Sequence, residues 1–243
     1  MILFIVPLIS QTKSKDWQLA TALLQGTLDS IANQSDPDYK VVVSCHEIPN
    51  IKFRGHPERL IFLPINYSPL ENDCCQSIPQ IDRFNKCCFA LFKLKDEAFK
   101  YCMVIDADDR VHRDLVKFLN EQPQADGWVV DRGYQVDYHS NRSMKYHRLS
   151  QICGSTMIFS KQALNIPQAA SGEEYGKSIY RQGHQSMRED LTSQGFSLRS
   201  LPFYGVQYVL NHGINDSDLF RTGGLNQWLK HMIKFSIVGG KMS

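Results

Sequence analysis

No stretch of this sequence approaches the roughly 20 consecutive apolar residues of a membrane span. The apolar run near the start, Ile2 to Val6, is too short for the hydrophobic segment of a secretion signal and follows no basic segment, so it reads as a first strand. The seven cysteines are odd in number and none has C-x-x-C spacing, which indicates neither a disulfide framework nor a zinc site. The pairs Cys74-Cys75 and Cys87-Cys88 read as reduced thiols, several of them core fillers. Charge of one sign is scarce as well: 27 Lys and Arg against 25 Asp and Glu leave a net charge of +2, without the lopsided basicity of a general nucleic-acid binder. No internal repeat, low-complexity tract or linker divides the chain, so its 243 residues are expected to form one domain. Cytoplasmic residence is the default expectation, with peripheral contact at the inner face of the membrane left open.

What the sequence does contain is a soluble globular composition, 42% hydrophobic and 21% charged, organised around Tyr101-Cys-Met-Val-Ile-Asp-Ala-Asp-Asp109. Five apolar or aromatic residues give way to three carboxylates at Asp106, Asp108 and Asp109. A continuous apolar run is how a strand buried on both faces reads, and ligands of open α/β sheets bind beyond the carboxyl ends of such strands. Asp106 and Asp108 share a face if the strand stays extended, whereas a turn there splays them. Clustered carboxylates repel unless a cation lies between them, and hard oxygen ligands suit Mg²⁺ or Mn²⁺. The plain alternative is a solvated acidic turn.

Around this stretch the pattern predicts a strand over Ile2 to Pro7, then a helix capped by Asp16 and running to about Asn33. Strands follow over Tyr39 to Ser44, ending in Cys45-His46-Glu47, and over Leu60 to Leu63. Phe84, Cys87, Cys88, Leu91, Leu94 and Ala98 recur at helical spacing, with Asp82, Arg83 and Lys86 as a charged opening turn. Beyond the acidic tip come a short helix over Asp114 to Asn120, a strand over Gly127 to Asp131, and strands over Ile152 to Ser160 and Phe196 to Leu201. Arg132 to Arg148 is polar, interleaving Tyr134, Tyr138, Tyr146, His139 and His147 with bases; it reads as a surface hairpin or as rings on which a ligand stacks. Asn165 to Met187 reads as a mobile loop leading to a short helix headed by Asp190 and closed by Gly195. Tyr208 to Asp218 reads as polar loop and Leu225 to Val238 as a terminal amphipathic helix. Alternating strands and helices of this kind make a mostly parallel, Rossmann-like α/β sheet.

In this order the motifs resemble a GT-A type nucleotide-sugar glycosyltransferase, most like family 2. Ile5-Val-Pro7, the helix Leu23 to Gln34 and Tyr39 to Val43 resemble that family's first βαβ unit. Val104-Ile-Asp-Ala-Asp-Asp109 resembles its metal-binding D-x-D, and Arg188-Glu-Asp190 with Leu191 and Gly195 its E-D motif. His212 falls where many members place a metal-binding histidine. The second strand departs from the pattern, ending in His46-Glu47 where many members carry paired acids.

The resemblance implies transfer of a sugar from a UDP- or GDP-sugar to the hydroxyl of a glycan or lipid-linked glycan, with inversion by single displacement, in glycan or surface polysaccharide synthesis. It implies Asp106, Asp108 and His212 as ligands of Mn²⁺ or Mg²⁺, and Asp190 as general base. Donor contacts would come from Pro7, Glu47, Asp106 and Asp108, and from Arg83 or Lys86 at the diphosphate. Residues 1–110 would hold the donor and 111–218 the acceptor and base, followed by the C-terminal helix in 219–243. Against it stand bland readings: a cap for Asp190, a loop histidine for His212, a plain strand-end acid for Glu47, and a solvated helix turn for Arg83 and Lys86. A nucleotide-sugar-binding domain without turnover is the main alternative. A haloacid dehalogenase-like phosphatase would need Thr or Val where Arg110 stands, and a sugar-1-phosphate nucleotidyltransferase a glycine-rich loop that Pro7 to Lys15 lacks.

Overall fold

The computed structural model describes residues 1–66, 78–181, 186–214 and 240–241. Strands β1 (Ile2–Pro7), β2 (Tyr39–Cys45), β3 (Leu60–Pro64) and β4 (Tyr101–Val104) are where the apolar runs place them. They join β6 (Gly127–Val129), β9 (Met157–Ser160) and β10 (Leu198–Ser200) in a seven-stranded sheet of order β3-β2-β1-β4-β9-β6-β10. Only β9 runs antiparallel to its neighbours. This is the mostly parallel, helix-flanked α/β sheet that the alternation of strands and helices predicts.

Helix α1 (Trp17–Ala32) starts where Asp16 Oδ1 accepts the Leu19 N–H at 2.8 Å, the cap expected of an aspartate before an apolar-periodic run. Alternate residues of β1 serve opposite faces of the sheet. Ile2, Phe4 and Val6 share a core with Leu24, Leu28 and Ile31 of α1 and with Leu115 and Leu119 of α3 (Leu115–Glu121). Leu3 and Ile5 share the other core with Cys87 and Leu91 of α2 (Ile78–Lys93). Burial of both faces is why these strands read as unbroken apolar runs. The cysteines at 45, 87, 88, 102 and 153 are free and buried, and burial pushes the Cys87 and Cys88 thiols up to about 12, so these are inert packing groups.

A second sheet of order β12-β8-β7-β11-β5 was not expected. Its members are β5 (Arg110–Val111), β7 (Gly133–Asp137), β8 (Arg142–Tyr146), β11 (Val206–Leu210) and β12 (Gly240–Lys241). β7 and β8 form the hairpin within Arg132 to Arg148. The polar loop read from Tyr208 is corrected: Tyr208, Val209 and Leu210 are buried strand residues, paired in parallel with β7. The mobile loop read over Asn165 to Met187 is also corrected, because Gly172–Gly176 forms helix α4, with Ser171 Oγ accepting the Glu174 N–H at 3.3 Å, and Ile179–Arg181 a 3₁₀ turn. α2 begins at Ile78, so Asp82, Arg83 and Lys86 stand in its second and third turns rather than its first. The strand read over Ile152 to Ser160 shortens to β9, with Leu149–Gln151 a 3₁₀ turn before it. The helix read over Leu225 to Val238 lies outside the described residues.

Candidate functional site

The order of the large sheet reverses between β1 and β4, so the crevice outside their carboxyl ends is the ligand position that the topology favours. Ile105 still donates to the Ile5 carbonyl at 2.9 Å, and then the chain turns, with the Asp109 N–H donating to the Asp106 carbonyl at 3.1 Å. A tight turn, not extended strand, therefore separates the two acids and sends them to different partners. Asp106 Oδ1 accepts from Arg83 Nε at 2.5 Å, whereas Asp108 Oδ2 lies 2.8 Å from His212 Nε2.

Each partner is aimed by its own element. α2 presents Arg83 beside the tip, and Gly154 lets the backbone pass close by. A Cβ there would sit 2.9 Å from Arg83 Nη2 and 3.0 Å from Asp106 Oδ2. The next residue, Ser155, accepts the Asp106 N–H on its Oγ at 2.8 Å and so fixes the acid's backbone. His212 follows β11 between two left-handed residues, Asn211 at φ 66° and Gly213 at φ 83°, a reversal that asparagine and glycine tolerate. Its ring is buried, and among the described residues Nδ1 has no hydrogen-bond partner.

Among the described residues no three His, Cys, Asp or Glu side chains converge as a ready ligand set. The expected trio is thus divided: Asp108 and His212 stand together, and Asp106 is engaged by Arg83. An acid and an imidazole in contact still fit a divalent cation of the Mg²⁺ or Mn²⁺ kind, which binds through one or two protein ligands and takes the rest of its shell from water and substrate phosphates.

The third acid leaves the tip altogether. Asp109 is fully buried; its Oδ1 accepts the Val209 N–H at 3.2 Å and its Oδ2 the Cys153 thiol at 3.3 Å, tying the tip to β11. Burial first, then the neighbouring carboxylates Asp108 and Asp106, raise its carboxyl well above the usual range and favour the uncharged acid. A raised acid contributes its full stability below about pH 4 and loses it as pH rises toward the folded value. Asp109→Asn, which does not titrate, should therefore gain stability relative to the parent from pH 4 upward, at up to about 1.4 kcal/mol per pH unit. Urea unfolding of both proteins at pH 4, 6 and 8 measures this; a constant difference contradicts it.

Lys86 corrects an expectation. It is 1% exposed, and its ammonium donates to the Leu8 carbonyl at 2.6 Å and to Asp82 Oδ2 at 2.5 Å. With no face toward solvent it cannot meet a diphosphate; it clips α2 to the chain leaving β1. Lys86→Met strands the Asp82 carboxylate and the Leu8 carbonyl, so it should cost about 3 kcal/mol of stability by denaturant titration, with Asp82→Asn added to it restoring part of the loss.

Pro7 ends β1 at the same edge, buried and paired in register with Ser44. Glu47 lies just past β2, where its Oε2 accepts the Gln11 N–H at 2.9 Å and pins the loop that follows β1. Asp190 lies in the first turn of α5 (Met187–Ser193), four residues after the cap position at Ser186, so it is not the helix cap. Gly195, at φ 88°, closes that helix as expected: its N–H donates to Thr192 and that of Phe196 to Leu191, a Schellman ending. Met187 and Leu191 join the core that holds Val129 and Met157, and Arg188 Nη1 is 3.7 Å from Asp131 Oδ2 just beyond β6. These contacts set α5 at the sheet edge that carries the acidic tip. Asp190 is half-buried, and its carboxylate has no partner among the described residues. Ser155 and the Cys153–Asp109 contact were missed at the sequence level; the run Gly154, Ser155 and Thr156 at the start of the strand read over Ile152 to Ser160 was the available signal.

No family model and no curated protein matches the chain. Among solved structures it is similar to TarS 1-349 from S. aureus, at 13% identity and TM-score 0.45, over 86% of this chain and 60% of that one. It is also similar to the same TarS segment in complex with UDP-GlcNAc, at 12% identity and TM-score 0.46, over 90% and 61%. A proposed nucleotide-diphospho-sugar transferase from Desulfovibrio desulfuricans G20 is similar at 10% identity and TM-score 0.43, over 95% and 94%. The chain thus spans about three fifths of the TarS segment that it matches. At such identities activity does not carry over from one chain to another.

Proposed function

We propose that this chain is a glycosyltransferase that moves a sugar from a UDP- or GDP-sugar to an acceptor hydroxyl. The observation that carries the reading is the D-x-D turn at the switch point, with Arg83 on Asp106 and His212 on Asp108. A nucleoside diphosphate leaving a sugar develops negative charge, and groups aimed at that charge lower the barrier. Mn²⁺ or Mg²⁺ held by Asp108 and His212 would supply Lewis-acid neutralisation of the departing diphosphate. Arg83 exchanges Asp106 for a phosphate oxygen or holds that acid in place. Asp190 takes the proton of the acceptor hydroxyl, a task for an uncommitted carboxylate near the same edge. A carboxylate base implies single displacement and inversion. No described helix is long and apolar enough to cross a membrane, and the acceptor in this reading is a glycan or a lipid-linked glycan.

Incubating the protein with UDP- and GDP-sugars and Mn²⁺, and following release of the nucleoside diphosphate, tests the reading. Release from one donor, lost on EDTA addition, is expected. Tight binding of a donor with no release on any acceptor would instead leave a nucleotide-sugar-binding domain without turnover.

A further inference from the structure

The segment from Arg132 to Arg148 holds Arg132, Arg142, Lys145 and Arg148 against a single acid, Asp137. That is an excess of +3 in a chain whose net charge is +2, so the remaining residues sum to −1. Asp137 is itself occupied, accepting from Ser140 and from the Asn211 amide. Among the described residues none of the four cations is in an ion pair. Exposed cations with no counter-charge raise the local concentration of anionic ligands and steer them in.

Aromatic rings sit within this basic surface. The Tyr134 and Tyr204 rings lie 5.0 Å apart at 36°, and the Tyr204 hydroxyl is 3.2 Å from His147 Nε2. Lys145, opposite Tyr134 in the hairpin register, places its ammonium 5.1 Å from the Tyr204 ring. These side chains come from β7, β8 and the loop before β11, and their mutual contacts fix them before any ligand arrives. Tyrosine presents an apolar body and a polar tip, the surface a sugar ring requires of a platform. Four residues beyond Tyr134, about 13 Å at strand rise and just past the end of β7, Tyr138 stands edge-on to His212 with ring centroids 6.2 Å apart. The platform therefore leads along one strand to the residue that contacts Asp108.

We infer that the β7–β8 hairpin, with Tyr134, Tyr204, Lys145, His147 and Arg148, is the acceptor platform and that it takes an anionic glycan chain. The inference rests on the glycosyltransferase reading for the term acceptor, but the binding itself does not require turnover. A membrane surface fits the hairpin less well. Interfacial segments bury Trp, Phe or Leu among the lipids, and the turn Tyr138, His139, Ser140, Asn141 and Arg142 contains none of them.

The test compares two probes of equal length, hyaluronan hexasaccharide, which carries carboxylates, and neutral chitohexaose, by thermophoresis at low and at physiological salt. Hyaluronan is expected to bind at least about tenfold more tightly at low salt and to lose that margin as salt screens it. Lys145→Glu and Arg148→Ala should each reduce the preference for hyaluronan, and Tyr204→Ala should weaken both probes. Circular dichroism of the variants excludes loss of fold as the cause. Equal binding of the two probes, no binding, or an unchanged preference in Lys145→Glu overturns the proposal, as does Lys145-dependent binding to phosphatidylglycerol vesicles with none to hyaluronan. Hyaluronan binding by a protein that consumes no nucleotide sugar keeps the anionic-glycan platform and removes only the glycosyltransferase reading.

Discussion

Asp190→Asn is expected to lower sugar transfer by about 10²-fold or more, the scale of a lost general base, with UDP affinity unchanged. The variant keeps the size of the side chain and removes only its capacity to accept a proton. Its effect on folding should be small, because Asp190 is not the cap of α5 and its carboxylate has no hydrogen-bond or ion-pair partner among the described residues. Steady-state transfer and calorimetry on one preparation separate the two quantities. Near-parental transfer would make Asp190 a bystander in the helix and put the base elsewhere, and a loss of UDP binding in proportion would mean that it holds the donor.

Asp108→Ala is expected to weaken Mn²⁺-dependent UDP binding by about 10²-fold or more, because it removes one member of the Asp108–His212 pair proposed to hold the cation. Asp106→Ala should behave differently. It also weakens binding in Mn²⁺, but it frees Arg83 from its 2.5 Å ion pair. In EDTA the Asp106 variant should bind UDP at least as well as the parent, since an unpaired guanidinium then faces the phosphates. Identical profiles for the two variants in both conditions would contradict the division of the two acids between Arg83 and His212.

That division marks where local sequence stops informing. β1 and β4 were legible because both faces are buried and every residue is apolar; α1 was legible because Asp16 precedes an apolar stripe. The acidic tip was legible as a tip. Its turn was not, and spacing alone could not say that Asp106 would face α2 while Asp108 faced the end of β11. Asp109 was read with Asp106 and Asp108 as a third carboxylate of the tip, because its environment is supplied by β11 and Cys153, about 100 and 44 residues away in the chain. The second sheet was hidden for a related reason: β5 and β11 are short, and Val206–Leu210 follows a stretch rich in turn residues. α4 did carry a local sign, the Ser171-x-x-Glu174 spacing of a capped first turn, which the surrounding glycines and polar residues obscured. Lys86 stands in a run of charge on a helix whose apolar face was read correctly, yet only the fold places the Leu8 carbonyl above it.

The central claim is that the Asp106–Asp108 turn is a nucleoside-diphosphate site completed by a divalent cation. Calorimetric titration of the unaltered protein with UDP and with GDP, in Mn²⁺ and again in EDTA, addresses it most directly. The account predicts that one of the two nucleotides binds about tenfold or more tightly in Mn²⁺ than in EDTA. Equal affinity in the two conditions, or no binding of either nucleotide in Mn²⁺, would contradict it.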